Sequence, residues 1–335
     1  MQVIHRSCDS HLVKPVTSSE FTTCPSPVSN ARNNRSGKDG HVIATDKLWS
    51  RRRLLGTTVS AVAAYLGKMH AAQNRDQAKR NYGGYPMGIH GASLAALANE
   101  AAVEMVAALG LHWLELTAAQ IRLNEVRRGS TIEPPSSPQE IRELRRILAA
   151  SDITPTAFGP IQLGGEQDLN RRIFDRASSL GIRNLSCIPE LRALDGLELL
   201  ADEHRVRLAL HNNTSGHLDS VAAVRRAVQG RGPNVGACLD IGNALRGSED
   251  PAAAAETLGP RLLGIHLKDV SARRPDSEVI VIGTGFLNVS AFFNVVRNVG
   301  FPDDGALSLE YLARPDDPLP GLREGLRVAS VATQR

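Results

Sequence analysis

Residues 84–332 are predicted to fold as a (β/α)8 TIM barrel. Three observations predict it. Eight short β-type runs alternate with helical patterns, they occupy about 250 residues, and polar side chains recur where the apolar runs end.

The chain ahead of the barrel is of a different kind. Residues 1–47 are polar, rich in Ser, Asn, Thr and Arg, and without periodicity, so they read as disordered. Ser50-Arg51-Arg52-Arg53-Leu54-Leu55-Gly56 follows, then an apolar stretch from Leu54 to Gly67, Lys68 and the small pair Ala71-Ala72. That order is the n-, h- and c-region order of an export signal, and the arginines before a mild apolar run resemble a twin-arginine (Tat) signal. Residues 1–80 are thus expected to be a disordered leader with a signal-like segment, and the protein to be exported to the periplasm. The alternative is a cytoplasmic protein in which a basic patch precedes an ordinary amphipathic helix. The 14-residue apolar run is too short to span a bilayer, so no stable membrane span is expected.

The net charge of +4 hides two opposite parts. Residues 1–80 carry 13 Lys/Arg against 5 Asp/Glu, or +8, which leaves −4 on the rest. A mildly acidic body offers no general attraction for nucleic acid. An aromatic content of 4% also argues against a base-stacking platform, while 42% hydrophobic residues suffice for a core. Cys187 and Cys238 lie in apolar runs and read as buried, reduced thiols, and Cys8 and Cys24 lie in the leader.

Taken in order, the first strand is Met87–His90, followed by helical spacing over Leu94–Leu109. The second, His112–Leu116, precedes Ser137–Ala150, whose Ser137-Pro138 opening places a cap before a first-turn proline. Thr154–Phe158 is followed by the helix Glu166–Leu180, and Asn184–Ile188 by a weaker helix over Leu191–His204. Arg207–His211 leads to Leu218–Val228, Val235–Asp240 to Pro251–Leu258, Leu262–Leu267 to Val289–Val299, and Leu307–Glu310 to Pro320–Ala329. A doubly wound open sheet would show a Gly-rich phosphate turn after its first strand; here that strand ends His90-Gly91-Ala92-Ser93.

In a barrel the chemistry sits at the carboxyl ends of the strands. WLEL supplies Glu115; LALHNN supplies His211, Asn212 and Asn213; GACLDIGN supplies Asp240 and Asn243. LLGIHLKD supplies His266, Lys268 and Asp269, and LSLEY supplies Glu310. A lone histidine at such a place is more often structural than a ligand. Four successive strands ending in His211, Asp240, His266 and Glu310, at spacings of 29, 26 and 44 residues, converge on one mouth. Buried groups of this kind are costly unless paired or bound to metal. Two imidazoles and two carboxylates suit one divalent ion: Mn, Co, Zn, Fe or, less well, Mg. Such an ion grips adjacent hydroxyl and carbonyl oxygens.

LALHNN, GACLDIGN, IHLKD and LSLEY together resemble the sugar phosphate isomerase/epimerase family, the xylose-isomerase-like TIM barrels, over about Gly88 to Ala329. The resemblance implies a divalent metal held by His211, Asp240, His266 and Glu310, and an isomerase, epimerase or lyase acting on a sugar or keto-sugar through an enediolate-type intermediate. Epimerase members usually place Glu where this sequence has His211, and other members carry a second His where it has Asn213 and Asn243. Losing one of two glutamates makes a simple two-base 3-epimerisation less expected than a one-base reaction. The relative endonuclease IV is disfavoured, because Asn243 and a His-free Val270–Gly285 leave its extra zinc ligands missing.

Within that implied site Glu310 is the first choice for a ligand that also shuttles a proton. Lys268 either steadies an enolate oxygen or holds Asp269 and Glu310 in place. Glu115 is a base or substrate contact, or a structural group of the mouth. His90, Asn213 and Asn243 are candidate substrate contacts, although a lone histidine such as His90 is more often a packing residue. Arg122, Arg127 and Arg128 follow strand two; they could bind a phosphate, but arginines in a long exposed loop are usually a solvated face, and no phosphorylated substrate is expected from them. The competing reading is a degenerate, non-catalytic barrel that binds carbohydrate. The expected partner is a small-molecule sugar, and the sequence sets no oligomeric state.

Overall fold

The computed structural model describes residues 79–118 and 138–334. The signal-like segment and Arg122, Arg127 and Arg128 lie outside the described residues. Eight parallel strands close into a barrel: β1 Met87–His90, β2 Trp113–Leu116, β3 Thr154–Leu163, β4 Asn184–Pro189, β5 Arg207–His211, β6 Val235–Asp240, β7 Leu262–Leu267 and β8 Ala306–Leu309. Each pairs with its neighbours in sequence, and β1 pairs with β8 to complete the ring. The helices are α1 Asn99–Ala108, α2 Pro138–Ala150, α3 Gln167–Leu180, α4 Leu194–His204, α5 Val221–Val228, α6 Ile241–Arg246, α7 Pro251–Leu258, α8 Val289–Val296 and α9 Leu319–Thr333. No helix among the described residues is long and apolar enough to cross a membrane.

Strand parity builds the two cores. One face of each strand packs outward against helices: Ile89, Leu114, Leu210, Leu239, Ile265 and Leu309 join helix residues such as Val103, Phe174, Val224 and Phe292 in the main apolar cluster. The other parity points into the barrel. There the small Ala209 and Cys238 form a separate cluster with Leu263, and His211, Asp240 and His266 sit above them.

Several bounds move. Strand β3 continues past Phe158 to Leu163, because Gly159-Pro160 is taken up as a shift of register against β4 rather than a break. Leu94–Leu109 is not one helix: a 3-10 turn over Gly91–Leu94, capped by His90, precedes α1. Helix α6 was not expected, since six residues are too few to show a period. Strand β8 stops at Leu309, and Glu310 lies one position beyond, its N–H still donating to Leu267 O at 3.0 Å.

The described residues include 79–83, ahead of the predicted start of the barrel at residue 84. Lys79 pairs with Asp152 at 2.6 Å, Arg80 lies 5.7 Å from the centre of the Trp113 ring, and Tyr85 packs edge-on against Phe301 at 5.6 Å. These residues brace the amino-terminal end of the barrel strands.

Candidate metal and active site

Asp240 ends β6 and divides its carboxylate between two tasks. Oδ1 accepts the N–H of Asn243 at 2.8 Å and so caps α6. Oδ2 faces His211 Nε2 at 3.2 Å, Lys268 Nζ at 2.7 Å and His266 Nδ1 at 3.9 Å. The Asn212 side-chain amide grips the backbone of Asp240 on both sides, accepting its N–H at 2.7 Å and donating to its carbonyl at 2.9 Å.

The two imidazoles beside Asp240 are each oriented from behind. His211 Nδ1 lies 3.2 Å from Asn213 Oδ1, an acceptor, so that nitrogen carries the proton and Nε2 presents its lone pair. His266 Nε2 lies 3.0 Å from Glu115 Oε1, which leaves Nδ1 as the open nitrogen. Glu115 is fully buried, and its other oxygen accepts the Ser308 hydroxyl at 2.6 Å. A carboxylate behind a histidine whose far nitrogen faces a shared point is the arrangement that orients metal-bound imidazoles.

The donor set fits a divalent cation. His211 Nε2 and His266 Nδ1 stand 3.1 Å apart with Asp240 Oδ2 beside them, and three lone pairs facing one another repel unless a cation joins them. The charges agree. Glu115, Asp240 and Glu310 are buried carboxylates facing the single permanent positive charge of Lys268, so two further positive charges neutralise the cluster with its imidazoles uncharged. A nitrogen and oxygen donor set with a carboxylate suits Zn, Fe, Co or Mn.

Local fields follow from this crowding. Burial works to raise the Glu115 carboxyl, but the His266 imidazole and the Ser308 hydroxyl override it and hold it down to about 2. Burial opposes charge on His266 too, yet the Cys238 sulfur and the Glu115 carboxylate lift it well above the usual imidazole range. Lys268 is likewise raised against burial by Asp240 and Glu310. Glu310 is lowered, because the ammonium of Lys268 at 3.1 Å outweighs its desolvation. The Lys268 stem reaches this place over Gly242, where a Cβ would stand 2.6 Å from its Cε.

The structure thus brings His211, Asp240, His266, Glu310, Lys268, Glu115 and His90 into one buried cluster. Glu310 Oε2 is 3.9 Å from His266 Nδ1, and His90 packs its ring against His266 at 4.4 Å between centres. Three expectations take a different form. Glu115 stands behind His266 with both oxygens engaged, which makes it a positioning group. Asn213 holds His211. Asn243 braces the start of α6, its amide donating to Asn212 O at 3.1 Å. Asp269, beside Lys268 in sequence, turns away from the cluster: its carboxylate accepts the N–H groups of Val270, Gly283, Gly285, Phe286 and Leu287. Ser308 escaped the sequence reading, although it lies two residues before Glu310 and therefore on the same face of β8.

The model of the xylose isomerase-like TIM barrel family matches residues 103–330. The chain belongs to that family. No curated protein matches it. Among solved structures it is similar to an uncharacterised protein from Parabacteroides distasonis, with 26% identity, TM-score 0.56, and coverage of 73% of this chain and 97% of the other. It is also similar to a D-psicose 3-epimerase studied with D-fructose, at 18% identity, TM-score 0.57 and coverage of 73% and 96%. A third is the IolI protein with a bound zinc atom, at 14% identity, TM-score 0.60 and coverage of 74% and 98%. The last two likenesses concern the fold. Sugar epimerases are thus among the solved structures of similar fold.

Proposed function

We propose that this xylose isomerase-like barrel is a metal-dependent isomerase, epimerase or lyase that acts on a sugar or keto-sugar by way of an enediolate-type intermediate. The observation that carries the reading is the convergence of His211 Nε2, His266 Nδ1 and Asp240 Oδ2, each oriented by a partner of its own. His211, Asp240, His266 and Glu310 hold the ion. When bound, it supplies a Lewis acid that polarises a carbonyl oxygen and stabilises negative charge.

The chain's own groups do the rest. Glu310, kept ionised by Lys268, takes the proton from the carbon next to the carbonyl and returns it, to another carbon for isomerisation or to a departing hydroxyl for elimination. Lys268 offers its ammonium to the oxygen that gains charge. Glu115 and Ser308 keep His266 in one tautomer. Burial of the cluster excludes water, which strengthens each of these interactions.

Elemental analysis of protein purified without chelator, joined to a screen of keto-sugars and 3-keto-glycosides under Mn and Co, tests the reading. The expected result is about one ion per chain and turnover that depends on it. Protein with neither metal nor turnover, but with affinity for a sugar, would support the non-catalytic carbohydrate-binding barrel instead. We also propose export by the twin-arginine segment. Fractionation of the tagged native protein tests this, and recovery only from the cytoplasm would refute it.

A further inference from the structure

Two groups of ligating side chains share His266: His211 with Asp240, and His90 with Glu310. The second group is no metal site, and the reason lies in the backbone. The N–H of Ala92 donates to His90 Nδ1 at 3.3 Å in the cap of the 3-10 turn that follows β1. A backbone N–H can only donate, so Nδ1 carries the lone pair and the proton of the neutral ring resides on Nε2. A protonated Nε2 has no lone pair to give to an ion.

That N–H is 2% exposed with its residue and has no hydrogen-bond partner among the described residues. The carboxylate oxygen of Glu115 is 3.9 Å away, beyond hydrogen-bond reach, and is already taken by His266 at 3.0 Å. Buried donors are nearly always paired, and one without a partner calls for a reason. A candidate reason lies close by: a ring nitrogen of His90 and a carboxylate oxygen of Glu310 are within 4.8 Å of one another. The residue that carries the unmatched donor therefore stands beside the group that moves the substrate proton.

We propose that His90 is a neutral hydrogen-bond donor whose Nε2–H binds the oxygen that gains negative charge when an α-hydroxy carbonyl substrate is deprotonated. The role rests on the keto-sugar reading above and deepens it. An uncharged imidazole suits such an oxygen: it donates a hydrogen bond to the developing charge without surrendering a proton to it. Glu310 removes the carbon-bound proton, and the electron pair moves onto the carbonyl oxygen. His90 and Lys268 then meet that oxygen with one neutral and one charged donor.

The test uses the full chain loaded with zinc and labelled with 15N-histidine. The imidazole signal lost in His90→Asn is expected in the Nε2–H tautomer, unchanged by zinc. A Nδ1–H tautomer, or an Nε2 signal that moves to the metal-bound range on adding zinc, overturns the proposal. Acetohydroxamate, an oxyanion that chelates zinc, serves as the probe of the donor. His90→Asn keeps an oxygen for the Ala92 N–H but lacks the distal donor, whereas His90→Gln carries an amide N–H to about the place of Nε2. The expected result is a loss of roughly tenfold or more in acetohydroxamate affinity for His90→Asn, partly restored in His90→Gln, with zinc affinity and melting temperature unchanged in both. Wild-type protein that binds zinc and acetohydroxamate while His90→Asn does so equally well overturns the role of His90 alone. Wild-type protein that takes up no zinc overturns the functional reading, and this role with it.

Discussion

What each of the three clustered histidines, His90, His211 and His266, does depends on the group at its second ring nitrogen. Asn213 and Glu115 accept hydrogen bonds from His211 and His266, so the other nitrogens of those rings face Asp240 as lone pairs, whereas the Ala92 N–H donates to His90 and leaves it a donor. Removing a ligand is expected to empty the site without unfolding the barrel. Asp240→Ala or His266→Ala should lose metal by elemental analysis while keeping the circular dichroism of the parent; both variants retaining a full ion would place the site elsewhere. Glu310→Gln keeps the shape and one oxygen for the ion but cannot carry a proton. Its turnover should fall by about 10²–10⁴ with metal content preserved. If turnover survives with the metal in place, the base is a residue other than Glu310. Glu115→Leu removes the acceptor behind His266, and metal affinity should drop by about 10–100-fold. Glu115→Gln, which still offers an oxygen to His266, should recover most of it. Equal zinc titrations of the parent and Glu115→Leu would remove Glu115 from the site.

At the scale of elements, short polar contacts set the loops that carry the cluster. The β7 strand is extended by a two-residue ribbon in which Asp269–Val270 pairs antiparallel with Val279–Ile280. The Asp269 carboxylate gathers five backbone N–H groups from this loop, and Gly285 permits the approach, since a Cβ there would stand 2.3 Å from Val270 O. Asp269→Ala leaves those donors without their acceptor. The stability measured by urea unfolding should fall by about 3 kcal/mol. A change below about 0.5 kcal/mol would mean that water replaces the carboxylate at little cost. Helix α6 depends on Asp240 in the same way, so the residue proposed to hold the ion also sets the turn beneath Lys268.

At the scale of the molecule, the barrel closes through β1 and β8, and residues 79–85 brace it at the amino-terminal ends of the strands. Deleting residues 1–72 is expected to leave folding, solubility and turnover unchanged. Deleting through residue 82 also removes the Lys79 ion pair and the Arg80 contact with Trp113, and should lower the melting temperature by a few degrees. Calorimetry on the two truncations checks both statements. Destabilisation by the shorter deletion would show that residues 1–72 contribute to the barrel.

The eight strands and their order were determined by the sequence itself, because a strand buried on both faces is written as a short apolar run and its polar end stands out. His211, Asp240, His266 and Glu310 were legible for that reason, each being the polar residue that ends a run. The tertiary structure alone decided what those groups touch. Spacing along the chain says nothing about ring nitrogens, so it could not show that Glu115, 151 residues from His266, stands behind it, or that Asn213 orients His211. Nor could it separate Lys268, which enters the cluster, from Asp269, which leaves it. Neighbouring residues at a strand end point to opposite sides, and only the closed barrel determines which side is the mouth.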